Sequence, residues 1–279
     1  MTGAQSRTAG ALPGSASATS GIGPLLQYWR KARSLSQLAL AYEAEVSPRH
    51  ICFLETGRAQ PSREMVMLLA KVLDVPLREQ NSLLLSAGFA PIYGEAKLDA
   101  PEISAVQTAL LAILRQQEPF PAVVMNRHWD IVQTNDGARR FFGLLLGERA
   151  ATEPANVVRL MFAPNGLRPY VSNWEAAAEA LIQRVHRESV CGVADRTTVE
   201  LLAEVVAYPN VPKRLRQPDL TRPSLPIVPI CFRKGELALD FFSTVTTLGT
   251  PQDVTLQELR IECFFPANTD SEARARALV

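Results

Sequence analysis

The chain lacks any run of about 18 apolar residues, so nothing in its 279 residues reads as a membrane-crossing helix. It has only four cysteines, Cys52, Cys191, Cys231 and Cys263, far apart and without a C-x-x-C. That spacing argues against a disulfide framework or a zinc ribbon and reads as small buried thiols. His50, His128 and His186 share no ligand spacing with one another or with the cysteines, so no metal site is expected. There is no Gly-x-Ser-x-Gly, no Walker A loop and no dinucleotide glycine fingerprint, which removes the sequence support for those enzyme classes. Charge of one sign is missing too: the net charge is +1, so no overall basic balance announces nucleic acid. The first 22 residues are rich in Ala, Ser, Gly and Thr without the apolar stretch of a signal peptide. A disordered tail over 1–22 and a cytoplasmic protein are the expectations.

What is present is a chain 47% hydrophobic and 20% charged, long enough for one large domain or two ordinary ones. Its organising stretch is residues 36–57, two short helices joined by a tight turn. Ser36 is suited to cap the first helix, and Leu38, Ala41 and Tyr42 at i, i+3, i+4 predict its inward face. Ser47 and Pro48 stop that helix and start the second, and Gly57 ends it. In the second helix Ile51 and Leu54 share one edge, while Arg49, Phe53 and Thr56 at i, i+4, i+7 lie on nearly the opposite side. A helix pinned by one apolar edge and offering arginine, hydroxyl and aromatic groups from the other suits a DNA major groove. The same pattern also fits an amphipathic hairpin whose outer face is merely solvated.

The order of residues favours the first reading. Gln37 opening the motif, Ala41 four positions on, Ile51 and Leu54, and the closing Glu55-Thr56-Gly57 together resemble the lambda-repressor-like (xenobiotic-response-element) helix-turn-helix family over residues 23–90. The resemblance implies that Gln37 contacts a phosphate, that Ser47, Pro48, Arg49 and Phe53 face the groove, and that Arg30 pairs with Glu55. Arg49 is the candidate for base readout, because its planar donors can bridge a guanine edge. His50 and Arg58 are further phosphate candidates. Glu45 departs from the family, which usually has glycine there, and predicts an unusual backbone angle or an opened turn. The local charge excess over residues 23–90 is only two, so the reading rests on the motif.

Along the chain, Pro24 starts a helix running to about Arg33 with Leu25, Leu26 and Trp29 inward. Ser62 caps a fourth, and a fifth runs from Leu77 to Ala87 and stops at Gly88. Residues 91–104, with proline, glycine and mixed charge, read as a linker. Residues 105–117 form an amphipathic helix through Val106, Leu110, Ile113 and Leu114. Residues 121–125 and 130–133 read as a hairpin, with Arg127 and His128 solvated in its turn. Helical patterns follow over 136–146, 155–162, 171–189 and 195–207, the last with Val199, Leu202 and Val206 in period. Pro209 to Pro226 is an irregular loop carrying Lys213, Arg214, Arg216 and Arg222, solvated or in touch with DNA or a partner. Strands flank Lys234-Gly235, and apolar residues at 259, 261, 263 and 265 predict a half-buried strand. The fold class expected is α+β: an all-α five-helix bundle, then a PAS-like α/β domain over 105–268 whose sheet is covered on one side, then a frayed tail over 269–279.

Residues 105–268 resemble the ligand-binding domain of MmyB-like transcription regulators. The likeness is carried by Glu118-Pro119-Phe120-Pro121-Ala122-Val123-Val124, by Arg127-His128-Trp129-Asp130-Ile131-Val132-Gln133-Thr134-Asn135, by Asn156 to Leu160, by Asn173-Trp174, and by Gly249 to Leu256 with Glu258 to Glu262. It implies a PAS-like fold able to hold a fatty acid and no other cofactor. Trp129, Phe142, Phe162, Trp174 and Phe241 are the candidate lining, with Arg159, Asn135 or Asn173 as donors to a carboxylate head. Alternatively, these aromatics simply fill the core. The function implied is a one-component transcription regulator, not an enzyme, that binds a duplex operator as a homodimer and senses a small apolar ligand. A flavin- or haem-carrying domain and an interaction adaptor without an operator are the other readings.

Overall fold

The computed structural model describes residues 21–147, 155–191, 195–216, 227, 229–249 and 251–278, and the chain divides into two compact units between Ile92 and Tyr93. Of the expected tail over 1–22, residues 1–20 lie outside the described residues, whereas Ile22 is buried at the N-cap position of the first helix; the part of the basic loop at 217–226 with Arg222 also lies outside them.

The first unit is five helices: α1 (Gly23–Ala32), α2 (Gln37–Glu43), α3 (Pro48–Glu55), α4 (Arg63–Val72) and α5 (Leu77–Ser86). Serines set three of the starts. Ser36, Ser47 and Ser62 each sit in extended backbone, and their hydroxyls accept from the amides of Ala39, His50 and Met65 at 3.0, 3.1 and 3.2 Å. Gly57, at φ +71°, ends α3 in the left-handed region that glycine occupies without strain. Glycine is needed at Gly23 for a different reason. A Cβ there would stand 2.4 Å from the Glu55 carbonyl oxygen, where the start of α1 meets the end of α3. Leu26, Trp29, Leu40, Ile51, Leu54 and Leu69 are fully buried, each adding roughly 1.5–3 kcal/mol of transfer free energy.

The inward face of α2 differs from expectation. Of the expected face Ala41 is buried, together with Leu40 and Ala44, but Leu38 and Tyr42 are 67% and 85% exposed. This short helix has two apolar edges, and the one with the alanines is the edge that admits close packing. The turn after it is tight rather than open: Glu45 takes φ +54°, and the Val46 amide reaches the Ala41 carbonyl at 2.9 Å.

The second unit begins at Tyr93, within the stretch 91–104 expected as a linker. The Asp253 carboxylate accepts from the Ala96 amide at 2.9 Å, the Val254 amide donates to the Gly94 carbonyl at 2.8 Å, and Ile103 is buried. This stretch is therefore tied to the unit at these points, while most of its side chains remain exposed. The unit's helices are α6 (Ser104–Gln116), α7 (Asp136–Leu146), α8 (Val157–Phe162), α9 (Trp174–Cys191), α10 (Arg196–Ala207), α11 (Val254–Glu258) and α12 (Thr269–Arg276). In α10 the buried set is Thr198, Leu201, Leu202 and Val205, and Val199 faces outward.

Five antiparallel strands, β1 (Ala122–Met125), β2 (Ile131–Thr134), β3 (Ile230–Lys234), β4 (Leu237–Thr246) and β5 (Arg260–Pro266), order as β2-β1-β5-β4-β3. Gly235, at φ +56°, turns β3 into β4. The sheet is covered on both faces, not one. Val124, Ile261 and Cys263 pack with Leu110 and Leu114 of α6 and Leu256 of α11. Val123, Phe232, Phe241 and Phe264 pack into a larger cluster with side chains of α7 to α10. Alternate residues of β5 thus belong to different cores, so the strand is buried through rather than half-buried.

The expected frayed tail over 269–279 is largely α12. The Asn268 side chain caps it by accepting from the Ser271 amide at 2.8 Å, and the Ser271 hydroxyl accepts from the Asp240 amide at 2.9 Å. Ala275 inserts into the larger cluster, anchoring the helix to the sheet. Among the described residues no helix is long and apolar enough to cross a membrane.

Candidate functional site

In the first unit the candidate surface is the outer edge of α3. Ile51 and Leu54 are buried, while Ser47, Pro48, Arg49, Thr56 and Arg58 are exposed and Gln37, His50 and Phe53 half-buried. The eight residues expected at DNA are therefore accessible. The Arg49 guanidinium lies 5.0 Å from the Phe53 ring centroid, an intrahelical cation–π contact that holds its planar donors along the outer edge. Thr56 spends its hydroxyl proton on the Cys52 carbonyl at 2.7 Å, so it is left as an acceptor.

Behind this edge sits a buried polar lock. Arg30 donates through Nε and Nη2 to the two Glu55 carboxylate oxygens at 2.6 and 2.8 Å, and through Nη1 to the Leu35 carbonyl at 2.9 Å. Gln37 donates its amide to Glu55 Oε2 at 2.8 Å, which fixes the start of α2 against the end of α3. Burial pushes the Glu55 carboxyl up, but the hydrogen bonds from Arg30 and Gln37 and the Arg30 charge reverse this and hold it below 4.5.

The second unit contains a cavity of about 680 Å³ that is partly open to solvent. One wall is the sheet, with Val123, Phe232, Val245 and Phe264; the others are helical, with Phe142 of α7, Leu160 and Met161 of α8, and Ala177 and Leu181 of α9. Polar residues also line this apolar space, Thr244 of β4 among them. Arg184 and Arg187, one turn apart on α9, stand on the helical side, and Ser243 of β4 and Glu262 of β5 on the sheet side. The Ser243 hydroxyl donates to the buried Glu262 carboxylate at 2.5 Å.

Of the eight residues expected at the ligand, only Phe142 lines this cavity. Trp129 is buried beside it at φ +69°, its ring between the guanidiniums of Arg184 and Arg260 at 4.9 and 5.5 Å. Asn135 caps α7, accepting from Ala138 at 2.8 Å and Ala122 at 2.9 Å and donating to the Phe120 carbonyl at 2.8 Å. Arg159 pairs with Glu204 at 2.9–3.0 Å. Glu204 in turn accepts from Tyr208, whose phenol is pushed up to about 12 by burial and by that carboxylate. Phe162 and Trp174 meet edge to face at 5.6 Å, the Trp174 indole donating to the Met161 carbonyl at 2.7 Å. Asn173 donates to the Pro229 carbonyl at 2.7 Å and accepts from the Cys231 amide at 2.9 Å, joining α9's start to β3. Phe241 packs edge to face on Phe141 and Phe264. These seven build the walls from behind.

Arg127 and His128, expected to be solvated, converge on Asp195, the cap of α10. His128 Nε2 stands 2.8 Å from its carboxylate, and Arg127 also reaches Glu258 at 3.4 Å. Burial pushes the Asp195 carboxyl up, and its partners (the Thr198 amide, His128 and Arg127) outweigh this and lower it.

Sequence reasoning missed Arg184, Arg187, Ser243 and Glu262. A signal for the arginines exists: Ala177, Leu181 and Arg184 fall at i, i+4, i+7, so the apolar stripe of α9 runs straight into a guanidinium. For Glu262 the signal is Phe264 two residues on, an apolar neighbour on a face read as solvent-exposed. Among the described residues no group of three or more metal-ligating side chains is found.

Compared with known families, residues 106–278 match the model of the MmyB-like transcription regulator ligand binding domain, and residues 26–80 match a helix-turn-helix model of the xenobiotic-response-element type. No curated protein matches the chain. With more than half of its length in the first match and the exposed α3 in the second, the chain belongs to the MmyB-like family of DNA-binding transcription regulators with a ligand-binding domain.

Proposed function

We propose that this chain is a one-component regulator of the cytoplasm whose N-terminal unit binds a specific duplex operator and whose second unit is a PAS-like sensor of a fatty-acid-like ligand. The observation that carries this reading is the apolar cavity of about 680 Å³, within the size range of small-molecule sites. The sheet order β2-β1-β5-β4-β3, with helices shaping the cavity against it, supports the PAS-like assignment. Arg184 and Arg187 stand at the cavity and are the cations we assign to a carboxylate head; Arg159 does not line it. The described lining contains no histidine or cysteine, which favours a colourless organic ligand over haem.

The operator is read by a homodimer, each α3 entering a major groove at half-sites about 34 Å apart. Ligand control requires that the ligand bind one state of the regulator more tightly than the other. Two measurements on the full-length protein test the reading together. Native mass spectrometry should report a dimer retaining a lipid-sized molecule, and genomic DNA selection should enrich one palindromic sequence. A monomer without retained ligand that enriches no sequence would overturn it.

A further inference from the structure

The outer edge of α3 pairs a side chain rich in donors with one that has none. Arg49 and Phe53 lie one turn apart, on the side away from the buried Ile51 and Leu54, with Arg49 exposed and Phe53 half-exposed. A phenyl ring carries no conventional donor or acceptor, so it cannot answer the hydrogen-bonding pattern of a base edge. Among the groups that a base pair presents in the major groove, the apolar one is the C5-methyl of thymine. Against any other part of the edge the ring would desolvate a polar group without replacing its water. The reach of the pair is fixed as well. The Arg49 guanidinium stands 5.0 Å from the Phe53 ring centroid. Base pairs stack about 3.4 Å apart, so the two side chains meet base pairs no more than two steps from one another.

We infer that Phe53 reads the C5-methyl of a thymine, on either strand, within two base pairs of the guanine taken by Arg49. The inference rests on the operator reading above and narrows the class of duplex that α3 accepts. Packing the methyl against the ring takes about one carbon's worth of apolar surface out of water, which is worth about fourfold in affinity. The ring's other task is to hold its neighbour. With its face against the Arg49 guanidinium, it limits the orientations that the fork must give up on meeting a base.

The test is selection of duplexes from a random-sequence pool by the full-length protein, then anisotropy titration of the enriched duplex with each thymine replaced singly by uracil. Uracil removes the methyl group and leaves the hydrogen-bonding edge intact. The expected result is an invariant guanine with a thymine within two base pairs, at which uracil weakens wild-type binding about fourfold. The uracil penalty should vanish in Phe53→Ala and persist in Phe53→Leu, which keeps an apolar contact. Both variants are titrated at low salt, where phosphate contacts keep them bound. Equal binding of every uracil-substituted duplex by the wild-type protein would overturn the inference and leave the operator reading standing. A penalty that survives in Phe53→Ala would assign the methyl to another side chain and overturn the role of Phe53. Enrichment of no sequence at all would overturn the operator reading itself, and the inference with it.

Discussion

Arg30 and Glu55 grip each other through two parallel hydrogen bonds, at 2.6 and 2.8 Å, across 25 residues of sequence, with side chains 10% and 1% exposed. Removing either partner strands a buried charge, which costs about 3–5 kcal/mol, while removing both costs much less than the sum. Arg30→Ala and Glu55→Ala should each destabilise the N-terminal unit strongly. A double-mutant cycle by denaturant unfolding should return a coupling of roughly 1–3 kcal/mol. Additive losses would mean the pair does not lock α3 to α1.

The same pair sets an acid limit. The folded Glu55 carboxyl lies below its ordinary 4.5, so its contribution is complete above pH 4.5 and disappears as the pH falls through the lower folded value. Protection factors of the amides across residues 23–86, corrected for intrinsic exchange, should therefore fall on acidification below about pH 4.5. Glu55→Gln should show weaker protection at neutral pH and a flatter acid profile. An acid profile unchanged in Glu55→Gln would place the sensitivity elsewhere.

Glu45 holds φ +54° in the turn between α2 and α3, and its side chain is exposed. A left-handed non-glycine residue costs roughly 1–2 kcal/mol, part of which glycine returns as unfolded-state entropy. Glu45→Gly should raise stability by about 1 kcal/mol, read as a higher denaturant midpoint, and leave operator affinity as it was. A lowered midpoint would show that the turn gains from the Glu45 side chain.

Features set by short-range hydrogen bonds could be read from the chain: the serine caps, the glycine stops and the hairpin at Lys234-Gly235; at Glu45 the sequence left two turn geometries open. The Arg30–Glu55 pair was legible too, through family resemblance, because both residues sit inside a dense motif. The cavity was not. Its position depends on which of several apolar faces meet, and Phe162, Trp174 and Phe241 carry the same sequence signature whether they line a void or close it from behind. The pairing of β1 with β5 joins Ala122 to Cys263, a separation over which no periodicity carries information. Glu262 was hidden for a related reason. Alternation along β5 marks one buried face, and only the helices on the other side make the second face buried as well.

Arg49 stands free of ion pairs on the described surface and rests against the Phe53 ring at 5.0 Å. If it reads a guanine, Arg49→Ala should cost about 1–3 kcal/mol on the selected operator and relax preference at one base pair. Binding to mismatched duplexes measured by fluorescence anisotropy separates the alternatives. Uniform weakening across every sequence, with a reduced salt slope, would mean that Arg49 holds phosphate and reads no base.

Trp129 offers a direct report on the cavity, because the Arg184 guanidinium that lines it also stacks on the indole at 4.9 Å. A carboxylate drawn to Arg184 changes the charge over the ring, whether or not the side chain moves. Titration with dodecanoic acid should therefore shift intrinsic emission in step with calorimetric binding. Trp129→Phe should remove that shift while heat of binding is still detected, which assigns the signal among Trp29, Trp129 and Trp174. Arg184→Ala should weaken binding by about tenfold, the worth of one charge-assisted hydrogen bond. A shift that persists in Trp129→Phe would move the reporter to Trp174, and dodecanoic acid binding undiminished in Arg184→Ala would place the acid head away from the Arg184–Trp129 stack.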